Sequence, residues 1–250
     1  MAGESERRLM NVDELEFEVA RRTVAAFGGW LGALEDCLKA YLAAFRVVGE
    51  FTSTKDNRHQ ELWLRLVSRS FNSLRWGRTL IRNGYYAQAF ILARSALEDW
   101  LAYMDSIEHE DTVEALLQGG QVAPFRQMAK RSLPEDLRAW WGGGADDKVT
   151  YGFLSTFSRP RYRAVMMQLD PETLTLRVGP LYDEVLFLTS WTYVTEAAVR
   201  MSEFAARIVL VARHADTLNV VLGPAVDKAI ACLAEVNSYA QPLPGGDPPE

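Results

Sequence analysis

The chain has 250 residues, of which 48% are hydrophobic and 24% charged, as expected for a soluble globular protein with a substantial core. Its longest uncharged stretch, from Thr23 to Leu34, is far shorter than the roughly 18 to 20 apolar residues that a membrane-spanning helix needs. The net charge of -6 argues against a general nucleic-acid coat protein but leaves room for a local basic groove.

The first half of the chain is predicted to form long helices, because its first 123 residues contain no proline. Apolar residues recur every three or four positions from Val12 to about Val48, which predicts the first helix. Its glycines could kink this helix or allow a close crossing with another one. These glycines are Gly28, Gly29 and Gly32.

A helical hairpin should follow. The second helix is predicted from about Asp56 to Arg82 and the third from Tyr85 or Tyr86 to about Ile107. Asn83 and Gly84 separate them, since both tolerate the left-handed conformation common at helix ends. So short a connection makes the two helices antiparallel neighbours.

The second half is more broken. Glycines and prolines divide residues from about 108 to 145 into short helical pieces, which predict a small cap. Alternating apolar residues around Asp170-Pro171 predict one short β-hairpin at about 163–178. Two further long helices are predicted, from about Leu181 to Val211 and from about Ala215 to Tyr239.

These elements predict an all-α fold, a helical bundle of four to five long helices with the small cap and the β-hairpin. We expect residues 1–240 to form a single domain. Residues 241–250 are rich in proline and glycine and are expected to be a disordered tail.

The composition also limits location and cofactors. The N-terminal stretch alternates acids and bases and lacks the apolar core of a signal peptide, so we expect a cytoplasmic protein with no membrane partner. Three histidines and two cysteines are too few and too scattered for a zinc site. No residue three positions before a histidine is the glutamate that a di-metal bundle requires. We therefore predict neither metal nor cofactor.

The run "YYAQAFILARSALEDWLAY" is almost wholly apolar but holds Arg94 and Glu98 one helical turn apart. By position, Arg94 falls at the centre of the stripe expected to be buried. A surface pair in this order would add only a few tenths of a kcal/mol, so helix stability alone is a poor reason for it. Three interpretations stay open: Arg94 reaches solvent, the pair is buried and structural, or it forms a ligand-binding site with Ser95.

A row of arginines on the second helix offers a second candidate site. Arg75, Arg78 and Arg82 follow one another at spacings of three and four and are candidates for RNA contacts. Arg65 and Arg69 precede them, and Trp63 and Trp76 could stack on bases. The alternative interpretation is a solvated helix face whose arginines pair with acids.

The segment "LIRNGYYAQAFILARSALEDWLAY" resembles the helix hairpin of a group of bacterial HEPN-like proteins. The matching positions are Gly84, Ala87, Ala89, Arg94, Ser95 and Glu98. A second block, "YGFLSTFSRP", is similar to that group's Tyr, Leu-Ser and His-Pro pattern. It matches at Tyr151, Leu154, Ser155 and Pro160, whereas Arg159 occupies the place expected for histidine.

The resemblance covers about residues 60–210. It implies a helical binding fold, a homodimer, and a role in phage defence or toxin-type regulation. HEPN ribonucleases are associated with an Arg and His pair that supports metal-independent attack by a ribose 2′-hydroxyl. An arginine at position 159 cannot take up a proton as a general base, because its guanidinium stays protonated.

The leading hypothesis is therefore a non-catalytic, degenerate HEPN-like binding or interaction protein. One alternative is a metal-independent ribonuclease that uses Arg159 with Tyr151 and Ser155 as catalytic candidates. The other is a bundle that binds a small ligand or nucleotide through Arg94, Ser95 and Glu98.

Overall fold

The computed structural model describes residues 11–49, 58–120, 123–133, 154, 157, 179–211, 220 and 222–239. Within these ranges every regular element is a helix, which confirms the all-α prediction. The helices are α1 (Val12–Gly49), α2 (Arg58–Arg82), α3 (Tyr86–Glu108), α4 (Glu110–Gln118), α5 (Phe125–Ser132), α6 (Glu184–Val211) and α7 (Gly223–Tyr239). The predicted β-hairpin, the tail and the 134–145 part of the cap lie outside the described residues.

The hairpin of α2 and α3 turns through Gly84, as predicted. Its φ of +82° places Gly84 in the left-handed region, and the Tyr85 amide donates to the Leu80 carbonyl at 2.8 Å. This pattern closes the C-terminus of α2. The Gly84 carbonyl in turn accepts a hydrogen bond from the Leu181 amide at 3.2 Å, so the turn also anchors the chain before α6.

Helix α1 is kinked next to its glycines. Phe27 leaves the helical region with φ −128° and ψ 21°, directly before Gly28 and Gly29. A Cβ atom at Gly28, Gly29 or Gly32 would meet nothing within 4 Å, so these glycines allow the kink and not a close crossing. The Phe27 ring stacks on Phe187 of α6 at 4.1 Å between centroids, which fixes the position of the bend.

Helix α2 lies between α1 and α3 and is antiparallel to both. The Tyr41 hydroxyl of α1 donates to the Val67 carbonyl of α2 at 2.8 Å. On the other side, Trp63 of α2 packs edge-on against Tyr103 of α3 at 5.4 Å. Because these contacts bury large aromatic side chains, they contribute much of the packing energy of this layer.

Helix α6 packs on this layer and runs parallel to α1. The Trp191 indole donates to the Trp30 carbonyl at 3.0 Å, and farther along both helices the Cys37 sulfur lies 3.4 Å from the Ser202 hydroxyl. Helix α7 then closes the bundle beside α1, where Glu235 accepts a hydrogen bond from the Trp30 indole at 3.2 Å.

Helix α6 begins later than predicted. Residues Leu181 to Asp183 are not helical, because Leu181 bonds to the Gly84 turn and Asp183 caps the helix. The Asp183 carboxylate accepts the Leu186 amide at 2.8 Å, a typical N-cap bond. Helix α7 spans Gly223–Tyr239, and the predicted helix start near Ala215 lies outside the described residues. Among the described helices, none is long and apolar enough to cross a membrane.

Candidate functional site

Arg94 and Glu98 of α3 form a half-buried ion pair. The Arg94 Nε and Nη2 atoms both lie 2.8 Å from Glu98 Oε1, and the two side chains are 20% and 18% exposed. Arg94 therefore lies at the edge of the buried stripe and not at its centre, and Ser95 beside it is half-buried. The pair fixes the orientation of the guanidinium while keeping part of it within reach of solvent.

Aromatic rings border this pair on the side of Phe90, one turn earlier in α3. Phe157 stacks on Phe90 at 4.6 Å between centroids, and Tyr193 of α6 packs edge-on against the same ring at 5.8 Å. Phe157 belongs to the "YGFLSTFSRP" block. The structure thus brings residues of the two sequence blocks that carry the HEPN resemblance into direct contact.

Helix α6 carries two charged residues, Glu196 and Arg200, at the same height along the bundle as Arg94 and Glu98. Tyr193 lies against Phe90, and the Arg200 guanidinium lies 5.9 Å from the Trp100 ring centroid. This parallel register places Arg94 and Glu98 level with Glu196 and Arg200. We call these four charged residues, together with Phe90, Tyr193 and Phe157, the α3–α6 seam.

Tyr193 is the neutral hydrogen-bonding group of the seam. Burial and the nearby Glu196 carboxylate raise the pKa of its hydroxyl to about 12. It therefore keeps its proton at neutral pH. The α3–α6 seam combines a fixed, partly exposed guanidinium with a phenol donor, groups suited to the oxygens of a phosphate-bearing ligand, whereas Phe90 and Phe157 are buried against each other and form its floor.

The arginines of α2 are spread over different environments. Arg78 pairs with Glu35 at 3.0 Å and donates to the Leu31 carbonyl, so it ties α2 to α1. Arg82 is half-buried and donates to the Asn83 side chain at 3.1 Å. Arg75 is exposed. The three predicted RNA-contacting residues therefore do not form one free row.

Two other members of the predicted row are also engaged. Arg65 pairs with Glu61 one turn away, and Arg69 pairs with Asp99 of α3. Trp63 is partly buried against the core, packs edge-on against Tyr103 and donates to the Ser106 hydroxyl at 3.0 Å, so its ring is engaged within the protein.

Asp105 forms a buried polar cluster that the sequence interpretation missed. Its carboxylate is fully buried and accepts hydrogen bonds from Nε and Nη2 of Arg131, a residue of α5, at 2.7 and 2.6 Å. The Ser132 and Thr112 hydroxyls also donate to it. With four hydrogen bonds, this carboxylate has little capacity left for a ligand. It joins α4 and α5 to the end of α3, which is a structural role.

The catalytic candidates Tyr151, Ser155 and Arg159 lie outside the described residues. Between them, Leu154 and Phe157 are buried in the core, and the Phe157 amide donates to the Leu154 carbonyl at 3.2 Å. Among the residues that the structure describes, no group of three or more His, Cys, Asp or Glu side chains could hold a metal ion.

Comparison with models of known protein families, with curated proteins and with solved structures finds no match.

Proposed function

We propose that this chain is a degenerate, non-catalytic HEPN-like binding protein that holds a nucleotide or similar phosphate-bearing ligand at the α3–α6 seam. The observation that carries the proposal is the stacking of Phe157 on Phe90 at 4.6 Å, one helical turn from Arg94. This contact joins the hairpin segment and the "YGFLSTFSRP" block, the two stretches of sequence on which the resemblance rests. The homodimer and a role in phage defence or toxin-type regulation follow from the same resemblance.

The chemistry of the seam favours binding over cleavage. A base for ribose attack should exchange its proton near neutral pH. An arginine cannot serve as that base, because a guanidinium does not release its proton in the usable pH range, and the Tyr193 pKa of about 12 keeps that hydroxyl protonated as well. These groups can donate to phosphate oxygens and can stack on a base, which is what recognition of a nucleotide needs.

A thermal-shift experiment tests ligand binding at the seam. Nucleoside mono-, di- and triphosphates should raise the melting temperature of the wild type, since a ligand at 100 times its Kd stabilises by about 2.7 kcal/mol. The Arg94→Ala, Glu98→Ala double variant should lose this shift. A matched control is Glu61→Ala, Arg65→Ala, which removes a pair of the same type and spacing from an exposed site on α2. A nucleotide shift of equal size in both double variants would refute the seam as the binding site.

A second experiment separates binding from nuclease activity. Purified protein incubated with mixed RNA in EDTA should leave the RNA intact, and an Arg159→Ala variant should behave identically. Cleavage that disappears with Arg159→Ala would replace this proposal with the metal-independent ribonuclease.

A further inference from the structure

Helices α1 and α7 run antiparallel, and a groove opens between them near the start of α7. The Lys228 ammonium donates to the Asp36 carboxylate, and farther along both helices Glu235 accepts a hydrogen bond from the Trp30 indole. These two contacts fix the register of the pair, in which position 36 faces position 228 and position 30 faces position 235. One turn after Asp36, the same register sets Ala40 opposite the first turn of α7.

The groove is open because the residues that meet there are small. Ala40, Pro224 and Ala225 line it, and none of them has a side chain long enough to fill the space between the two helices. Val220, which is 74% exposed, borders the same space. The groove has a volume of about 450 Å³, within the range of sites that hold small organic ligands.

Two lysines place positive charge along this groove. Lys39 lines it beside Lys228, and the Lys39 ammonium lies 3.7 Å from Glu35, a carboxylate that already holds Arg78 at 3.0 Å. Hydrogen bonding to Asp36 raises the pKa of Lys228, so that ammonium stays charged at neutral pH. Asp36 is the acid among the lining residues, and two lysines against one carboxylate leave the groove with one positive charge.

The first turn of α7 adds to this positive potential. Pro224 and Ala225 belong to that turn and line the groove, and the turn contains no acidic residue. The helix dipole places a partial positive charge at this end, and no side chain of the turn compensates it. The groove therefore combines an apolar floor with a net positive rim, which favours an anion that carries an apolar body.

We infer that this groove binds a small organic monoanion, a carboxylate with a short alkyl body, whose head group lies between the Lys39 and Lys228 ammonium groups. Its alkyl body then lies over Ala40 and Ala225, where it leaves water for an apolar surface. A single negative charge matches the one positive charge of the groove. No residue of the groove belongs to the α3–α6 seam, so this inference goes beyond the proposed ligand site and does not depend on it.

Isothermal titration calorimetry with octanoate tests the groove. The wild type should bind octanoate, whereas the Lys39→Gln, Lys228→Gln double variant should bind it at least about tenfold more weakly, because the head group loses both cations. Both lysines are exposed, so the variant should keep its helical circular-dichroism spectrum. Lys130→Gln is the matched control, because it removes an exposed lysine of α5 from outside the groove, and it should bind octanoate like the wild type.

Two further ligands separate the head group from the alkyl body. Acetate has the carboxylate without the body, and octanol has the body without the charge, so each should bind the wild type at least about tenfold more weakly than octanoate. Ala225→Leu fills the groove without changing its charge and should weaken octanoate binding by a similar factor, about tenfold.

The same titration distinguishes the groove from the α3–α6 seam. The Arg94→Ala, Glu98→Ala double variant should bind octanoate like the wild type, since its substitutions lie on α3. A loss of octanoate binding in that variant would place the anion at the seam and overturn the inference. Absence of octanoate binding by the wild type, an unchanged affinity in the Lys39→Gln, Lys228→Gln variant, or octanol binding as tight as that of octanoate would each overturn it as well.

Discussion

Asp99 on α3 is fully buried, and its carboxylate is neutralised by Arg69 on α2. The Arg69 Nε and Nη2 atoms both donate to this carboxylate, the former at 3.0 Å, and the Ser70 hydroxyl adds a third bond at 2.8 Å. The burial is asymmetric, because the Arg69 side chain is 63% exposed whereas Asp99 has no exposed surface. The two partners should therefore respond differently to substitution.

Arg69→Ala should destabilise the fold by about 3 kcal/mol, since it leaves a buried carboxylate without its cation. Asp99→Asn should cost less, about 1 to 2 kcal/mol, because Arg69 can turn to water and the amide can still accept from Ser70. The double variant should be more stable than Arg69→Ala alone. Urea unfolding measures all three. Arg65→Ala, which breaks an exposed pair, should change stability by no more than about 0.5 kcal/mol. Equal losses for Arg69→Ala and Arg65→Ala would contradict this account.

Asp105 should make stability depend on pH in the acid range. Burial raises the pKa of its carboxyl, but hydrogen bonds from Arg131, Ser132 and Thr112 outweigh burial and hold that pKa below its ordinary 3.8. A lowered folded-state pKa means that the contribution is complete above 3.8 and is lost as the pH falls through the folded value. Asp105→Asn should cost about 3 kcal/mol at neutral pH, and its deficit relative to wild type should shrink below pH 3.8.

Urea unfolding of both proteins across the acid range checks this dependence. Glu114→Gln is the matched control, because it removes a carboxylate of the same cap that pairs with Arg58 in solvent. Its stability relative to wild type should vary little with pH. A constant difference between wild type and Asp105→Asn at every pH would exclude Asp105 as the acid-sensitive group.

The long helices could be predicted because their signals are local. Periodic apolar residues and the Asn83-Gly84 stop place the ends of α2 and α3 to within two residues. The start of α6 could not be predicted, since it depends on the bond from Leu181 to a turn almost 100 residues earlier. Apolar residues at 181 and 182 continue the helical pattern, but that tertiary bond holds them out of the helix.

The candidate site was also predictable only in part, because some of the contacts around it join residues that are far apart in the sequence. The Arg94 and Glu98 pair is one helical turn long and is visible in the sequence. Asp99 stands next to Glu98 in the same apolar run, yet its partner lies 30 residues away on α2. An unpaired acid in an apolar stripe was the available signal for Asp99, as it was for Asp105. Which cation approaches either acid is decided by helix packing, which the pattern does not contain.

Gly84 should tolerate no side chain. A Cβ atom there would lie 2.7 Å from the Leu181 nitrogen and 2.9 Å from Val19, in a backbone with φ +82°. We expect Gly84→Ala to cost about 3 kcal/mol, the sum of left-handed strain and overpacking. Gly119→Ala separates the two terms, because Gly119 has φ +70° but nothing within 4 Å of its Cβ position. It should cost only about 1 kcal/mol in urea unfolding. Similar costs at both positions would show that the contact with Leu181 is unimportant.

Thr195 offers a substitution that should stabilise the protein. Its hydroxyl is fully buried and, among the described residues, has no hydrogen-bond partner, whereas Thr192 and Ser202 on the same helix donate to carbonyls four residues earlier. The residue lies four positions after Trp191, on the side of α6 that packs against α1.

Thr195→Val keeps the shape of the side chain and removes the unsatisfied hydroxyl, so it should raise the free energy of unfolding by about 1 kcal/mol. Thr23→Val is the control, because the buried Thr23 hydroxyl donates to the Val19 carbonyl at 2.8 Å. That substitution should lower stability by about 1 kcal/mol. A shift of the urea midpoint in the same direction for both valine variants would show that the missing hydrogen bond of the Thr195 hydroxyl does not determine the result. The contact between α6 and α1 around Thr195 would then be more polar than the observed contacts indicate.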